Sequence, residues 1–264
     1  MAQYLTFNQM LINIFSFNII WVFIECLPIL FAVKYGIDLW IWLRAVLGRK
    51  GVAVLSTVIS LANFGWYAVT ANLFASSMIH LANNFGLGLD KGVWAPILGT
   101  LCVLLGTLIA LGGPEVIKGT NRFLVVALLF VGLIIVGICF VAVPIRDIMN
   151  VQPAIQENLT PIERFMMSGE GNVAVAFSWS TQAFVLPRLA KSERSGYWAT
   201  ALSYGVVAPF FAATGGVMAL AMFVKTGVYE SDPTTMLSTL STPAFALLSL
   251  LLVAFANIGT QGTG

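Results

Sequence analysis

Long apolar stretches separated by short polar connections dominate the pattern of this chain. Seven of them reach or approach the ~20 residues that a helix needs to cross a bilayer core of ~30 Å. In chain order they cover roughly residues 9–33, 52–80, 93–112, 121–145, 171–187, 196–224 and 238–264. The pattern predicts an all-α, polytopic membrane protein with about seven transmembrane helices, forming a single transmembrane domain over 1–264.

Composition excludes a soluble protein. Hydrophobic residues make up 59% of the chain and charged residues 9%, with a mean hydropathy of +0.92, whereas soluble domains carry about 25% charged residues. A net charge of +2 gives no indication of nucleic-acid binding. All three cysteines (Cys26, Cys102, Cys139) fall inside predicted spans, with no metal or disulfide spacing, so we expect them to be small buried hydrophobic residues.

Basic residues divide unevenly between the two sides of the membrane. Nine of the 13 lysines and arginines lie in the connections 34–51, 113–122 and 188–195. The positive-inside rule therefore predicts that these three connections are cytoplasmic. We expect an integral protein of the plasma (inner) membrane. Its amino terminus would then be outside, which suggests that an earlier helix is missing.

The second span contains a polar and aromatic stretch, ANFGWYAVTANLFASSM, at 62–78. Asn63, Trp66 and Thr70 can share one helix face, because residues three or four apart are neighbours. One interpretation is a stacking surface with a hydrogen-bonding group beside it. The alternative is ordinary packing, since small and polar residues join membrane helices.

A second polar interruption lies within the fifth span. Hydroxyl side chains at 178, 180 and 181 and the amide of Gln182 stand beside Phe177 and Trp179. Polar groups next to aromatic rings suit a planar ligand, and helix packing explains them equally well.

The last span turns polar in FANIGTQGTG, residues 255–264. Hydroxyl and carbonyl oxygens suit a weakly charged cation such as sodium, and unwound helix ends bind coupling ions in transporters. The alternative is a helix end followed by a flexible tail. Separately, Glu25 is the only acid well inside a span, which makes it a candidate for a proton relay or for an inter-helix hydrogen bond.

Five segments, in this order, resemble the nucleobase–cation symporter family of purine, cytosine, allantoin and hydantoin permeases. They are VKYGIDLWIWLRAVLGRKG (33–51), ANFGWYAVTANLF (62–74), GGPEVIKGTNRF (112–123), LPRLAKSERSG (186–196) and STPAFALLSLLLVAFANIGTQ (241–261). The resemblance implies a LeuT-type fold, with two inverted five-helix repeats and a binding site near the membrane midplane. The chain would supply core helices two to eight, so we expect a fragment or a protein lacking its first helix.

The resemblance also implies roles for individual residues. Trp66 matches the tryptophan that stacks on the heterocycle, and Thr70 stands where the family usually has glutamine, which leaves the identity of the base open. Phe177 or Trp179 matches a second stacking aromatic. For the sodium site, Ala256 matches the carbonyl donor and Thr260 the hydroxyl donor. Gly259 replaces a serine or threonine there, which removes one ligand.

These observations lead to the expectation of a secondary transporter that imports a nucleobase or related heterocycle together with Na⁺ or H⁺. Its partners would be the heterocycle, the cation and the lipid bilayer, with no nucleic acid and no further cofactor. An amino-acid or thiamine-type permease of the same fold and a non-transporting membrane remnant are the alternatives. We expect no enzyme, because the chain has a single histidine and no H-E-x-x-H motif.

Overall fold

A computed structural model describes residues 1–154, 159–178, 187, 190–241, 250, 254 and 258. All regular secondary structure in these residues is helical, in agreement with the predicted all-α class. The helices are α1 (Phe7–Tyr35), α2 (Leu39–Asn84), α3 (Lys91–Leu111), α4 (Pro114–Ala142), α5 (Ile145–Met149), α6 (Pro161–Ser178), α7 (Glu193–Leu202), α8 (Ala208–Thr226) and α9 (Pro233–Leu240); a π-helical segment, Ser203–Val207, joins α7 to α8.

Local sequence signals explain where several helices begin and end. The Thr6 side chain caps the start of α1 in a capping box with Gln9, and Gly36 ends that helix with φ = 62°. This left-handed conformation favours glycine because it has no Cβ. Within α2, Gly48 has φ = 66° and ψ = 175°, so the helix breaks there before it enters the predicted second span.

Among the described residues, five helical stretches are long and apolar enough to cross a membrane: Phe7–Tyr35, Leu39–Asn84, Lys91–Leu111, Glu115–Ala142 and Glu193–Thr226. Each corresponds to one predicted span, and many of their large apolar side chains are exposed, as a lipid-facing surface requires. The two other predicted spans, 171–187 and 238–264, lie largely outside the described residues. All three cysteines are buried, as predicted.

Two helices begin earlier than the hydropathy pattern predicts. Most of the predicted connection 113–122 belongs to the first turns of α4, which starts at Pro114. Similarly, α6 starts at Pro161, ten residues before the predicted span at 171. The polar residues in these first turns lower the local hydropathy without breaking the helix, so a hydropathy threshold finds only the apolar part of each helix.

The described chain forms two compact units. The first unit contains residues 1–58 and 146–217, and the second contains 59–145 and 218–264. Each unit therefore combines stretches that are distant in the sequence.

In the first unit, α1 packs against both α6 and the α7–α8 segment. A Cβ added at Gly196 would meet Val33, one at Gly205 would meet Val22, and one at Gly216 would meet Met10. Because the α1 residue number falls as the glycine number rises, this segment runs antiparallel to α1. Glycines at close contacts let membrane helices approach each other.

In the second unit, the carboxyl-terminal half of α2 packs against α3. Ala71 on α2 lies 3.7 Å from where a Cβ would stand on Gly99 of α3. Elsewhere in this unit, α9 contacts α4. The Lys225 ammonium at the end of α8 donates a hydrogen bond to the Thr239 carbonyl of α9 at 2.8 Å.

Candidate functional site

The candidate substrate-binding residues of the second span lie along one stripe of α2. Asn63, Trp66 and Thr70 are half-buried, whereas Leu61 and Phe64 between and before them are exposed. Two of these positions, Trp66 and Thr70, are four residues apart, so they stand one turn apart on the same face. The structure therefore confirms the helix and the shared face, and the nature of their ligand remains a proposal.

The same stripe continues into a buried cluster. Phe74, one turn after Thr70, packs with Cys102 of α3 and with Ala254, and Met78 lies at the edge of this cluster with Ile258. Ala254 and Ile258 are helical and belong to the predicted last span. In the second unit, the part of α2 that follows Thr70 therefore packs with Ala254 and Ile258, which stand on either side of the predicted cation ligand Ala256 in the sequence.

The Thr70 hydroxyl acts as a hydrogen-bond donor. Its Oγ1 donates a hydrogen bond to the Tyr67 carbonyl within α2 at 3.1 Å. A threonine hydroxyl has one proton and two lone pairs, so its oxygen can act as a hydrogen-bond acceptor while its proton is donated. It can then accept a hydrogen bond from an N–H group, which the edge of a nucleobase or hydantoin supplies.

Most of the other predicted site residues lie outside the described part of the chain. Phe177 belongs to α6 and Glu25 to α1, and the side chains of both are outside it. Five further residues lie wholly outside it: Trp179, Gln182, Ala256, Gly259 and Thr260. The described structure thus bears on Trp66 and Thr70 and on the neighbours of the predicted cation ligands.

A cluster of buried asparagines between α1 and α6 was not among the predicted site residues. Asn13 Nδ2 donates to the Phe165 carbonyl at 2.7 Å, and Asn172 Nδ2 donates back to the Ile14 carbonyl at 3.3 Å. Asn18 Nδ2 donates to the same Ile14 carbonyl at 2.7 Å. The sequence did contain a signal for this cluster: several asparagines stand within apolar helices. Polar residues in membrane spans often mark functional positions.

Some buried polar atoms of this cluster have no partner among the described residues. Asn13 is 0% exposed, and its Oδ1 accepts no hydrogen bond there. The Nε and Nη1 of Arg164, which precedes Phe165 on α6, donate no hydrogen bond among the described residues. An unsatisfied buried polar group costs about 1–3 kcal/mol, so these atoms oppose the close packing of this end of the α1–α6 pair.

No protein-family model, curated protein or solved structure matches the chain. The resemblance to nucleobase–cation symporters therefore rests on the residue patterns in the sequence. A functional assignment has to rest on these patterns together with the geometry of α2 and its neighbours.

Proposed function

We propose that the chain belongs to a secondary active transporter that imports a nucleobase or a related heterocycle together with a cation by alternating access. In this proposal Trp66 stacks on the flat ring and Thr70 accepts a hydrogen bond from a ring N–H. Phe177, Trp179 and Gln182 are the other candidate substrate-binding residues. Ala256, Gly259 and Thr260 line the cation site, and Glu25 is the candidate relay if the coupling ion is a proton.

The packing of α2 in the second unit carries this proposal. Phe74 continues the stripe of Trp66 and Thr70, and it contacts Ala254, which is two residues before Ala256. Ile258 at the edge of the same cluster lies next to Gly259. Coupling requires that substrate and ion affect each other's binding, and short contacts between the two helices supply a route for that effect.

The division into two units gives further support. Each unit is assembled from separate stretches of sequence, and alternating access works by movement of one helix group relative to another. A chain with two compact helical units has parts that such a mechanism could use.

Ligand-induced thermal stabilisation of the purified protein tests this proposal. The panel contains nucleobases, hydantoin, allantoin, thiamine and leucine, each with and without sodium. A ligand that binds only the folded state stabilises it by about 2.7 kcal/mol at 100 times its Kd. We expect one heterocycle to raise the melting temperature, sodium to increase the shift, and Trp66→Ala to abolish it.

Two further variants serve as a control for Trp66→Ala and as a test of the Thr70 acceptor. Trp94→Ala removes a tryptophan that is 38% exposed at the start of α3, and it should leave the shift intact. Thr70→Val keeps the shape but removes the acceptor, so it should weaken binding of ligands with a ring N–H. A shift with leucine alone would favour the amino-acid permease, and an unchanged heterocycle shift in Trp66→Ala would refute the proposed stacking role.

A further inference from the structure

The amino-terminal half of α6 faces α1 through a polar seam, formed by Arg164, Ser168 and Asn172 on α6 and by Asn13 and Asn18 on α1. Residues 164, 168 and 172 are four apart and so lie along one face of α6. Ser168 is 8% exposed, Asn172 9% and Asn18 6%. Polar residues of this kind can join membrane helices through hydrogen bonds.

Reciprocal hydrogen bonds and tight packing hold the seam closed. The Asn13 amide donates to the α6 backbone, and the Asn172 amide donates to the α1 backbone. One turn along, the Phe17 ring lies so close to Gly169 that a Cβ there would overlap it. Asn13 approaches Phe165 and Phe17 approaches Gly169, so both residue numbers rise together and the two helices run parallel.

The closed seam nevertheless buries polar atoms that nothing satisfies among the described residues. These atoms are Asn13 Oδ1 and the Nε and Nη1 of Arg164, and all three are buried from water. Arg164 and the Phe165 carbonyl bound by Asn13 belong to adjacent residues, so the unpaired groups lie at the same end of the helix pair. In water each of them would gain hydrogen bonds, whereas the closed seam withholds them.

We propose that the amino-terminal end of the α1–α6 seam is a gate, which opens to water and thereby hydrates Asn13 and Arg164. The asparagine bonds and the Phe17–Gly169 contact favour the closed state, and the unpaired groups favour the open state. The charge pattern predicts this end to be outside, so under the proposed transport function the gate would control access from the outside. That last step rests on the proposed function, whereas the opening itself does not.

Thiol labelling of Ser168→Cys measures the opening without any transport. The purified variant in lipid nanodiscs is treated with a water-soluble methanethiosulfonate, and the labelling rate is followed by mass spectrometry. The native cysteines Cys26, Cys102 and Cys139 are buried, and the chain without the added cysteine gives their background. Met167→Cys, at a position 49% exposed on the same helix, is the control for general reagent access.

Leucine substitutions of the two asparagines should have opposite effects on this rate. Asn13→Leu removes one closing bond and also the unpaired oxygen. Because a buried unpaired acceptor costs more than a single hydrogen bond contributes, we expect labelling about tenfold slower. Asn172→Leu removes one closing bond and none of the unpaired atoms, so labelling should become faster. Arg164→Met, which removes the other unpaired donors, should again slow it. None of these variants should change labelling of Met167→Cys.

Comparing the two asparagine variants distinguishes a gate from a contact that is only structural. A seam that is only a structural contact would be loosened by both asparagine substitutions, and labelling would then rise in both. That result, or a Ser168→Cys that never reacts above background, would overturn the gate. Either outcome leaves the ligand shifts of the proposed transporter untouched, because those are measured on the unmodified chain.

Discussion

At the residue scale, glycines on the α7–α8 segment control how closely it approaches α1. A Cβ on Gly196 would lie 2.5 Å from Val33 Cγ2 and 3.4 Å from Ala190 Cβ. Valine is stiff about χ1, so the contact cannot be relieved by a simple side-chain rotation. We predict that Gly196→Ala lowers the free energy of unfolding by about 1–3 kcal/mol, as overpacking typically does.

Two other glycines of the segment supply matched controls. Nothing lies within 4 Å of a Cβ added at Gly215, and one at Gly216 would meet the flexible Met10 thioether at 2.5 Å. Thermal unfolding in the same lipid should therefore rank Gly215→Ala as harmless, Gly216→Ala as mild and Gly196→Ala as most damaging. Equal effects at all three positions would mean that the close contact with Val33 does not limit packing.

The candidate site shows which residue-scale features a single sequence can predict. Trp66 and Thr70 were predicted to share a face because helical spacing depends on their own segment alone, and the structure confirms it. The Asn13 bond to Phe165 joins residues 152 positions apart. Predicting it would require knowing which faces of α1 and α6 meet, and that depends on packing across the whole first unit.

At the scale of elements, the start of α6 depends on the ionised Glu163 carboxylate. Its Oε2 accepts hydrogen bonds from the Thr160 N–H and hydroxyl, both at 2.7 Å. These bonds favour the charged form and lower the pKa of Glu163 below its ordinary value of 4.5. Because the folded pKa is the lower one, the stabilisation is present above pH 4.5 and is lost as pH falls through the folded pKa.

Hydrogen exchange of the Thr160 and Glu163 amides can test this dependence. After correction for the intrinsic rates, we predict that protection of these amides falls as pH drops below 4.5, while the interior of α1 stays protected. Glu163→Gln keeps an acceptor in the capping position without titrating, so its protection should be independent of pH in this window. The prediction is wrong if the glutamine variant loses protection in parallel.

The sequence contains local signals for the starts of α6 and α4 that the hydropathy pattern misses. Thr160 followed three residues later by Glu163 is a capping-box pattern. Pro114 and Glu115 after two glycines are equally typical of a first turn. Both signals precede the apolar stretches, and a hydropathy threshold discards them. By contrast, the π-helical segment at Ser203–Val207, whose Gly205 lies against Val22 of α1, has no comparable local signal.

At the scale of the whole molecule, helix directions in the first unit agree with the predicted crossing pattern. The predicted topology makes the first and fifth spans run the same way and the sixth the opposite way. In the structure α6 runs parallel to α1, and the α7–α8 segment runs antiparallel to it, as their paired contacts require. The early start of α4 is compatible with this topology, because 29 residues span roughly 43 Å, which exceeds the bilayer core and leaves its first basic turns in water.

Cysteine labelling in intact cells tests the orientation itself. Gln152, Arg194 and Ser231 are exposed and lie between helices or, for Arg194, in the first turn of α7. With an impermeant thiol reagent, we predict that Gln152→Cys and Ser231→Cys react in intact cells and that Arg194→Cys reacts only after permeabilisation. Basic connections stay on the cytoplasmic side, so the Lys191–Arg194 connection should be protected.

The reverse labelling pattern would put the amino-terminal end of the α1–α6 seam in the cytoplasm. The gate would then control release of substrate to the inside, since its opening depends on Asn13 and Arg164 and not on which side they face. A mixed pattern, with Gln152→Cys and Ser231→Cys on different sides, would contradict the crossing pattern. An even number of crossings must separate two positions on the same side, and between these two the chain is predicted to cross twice.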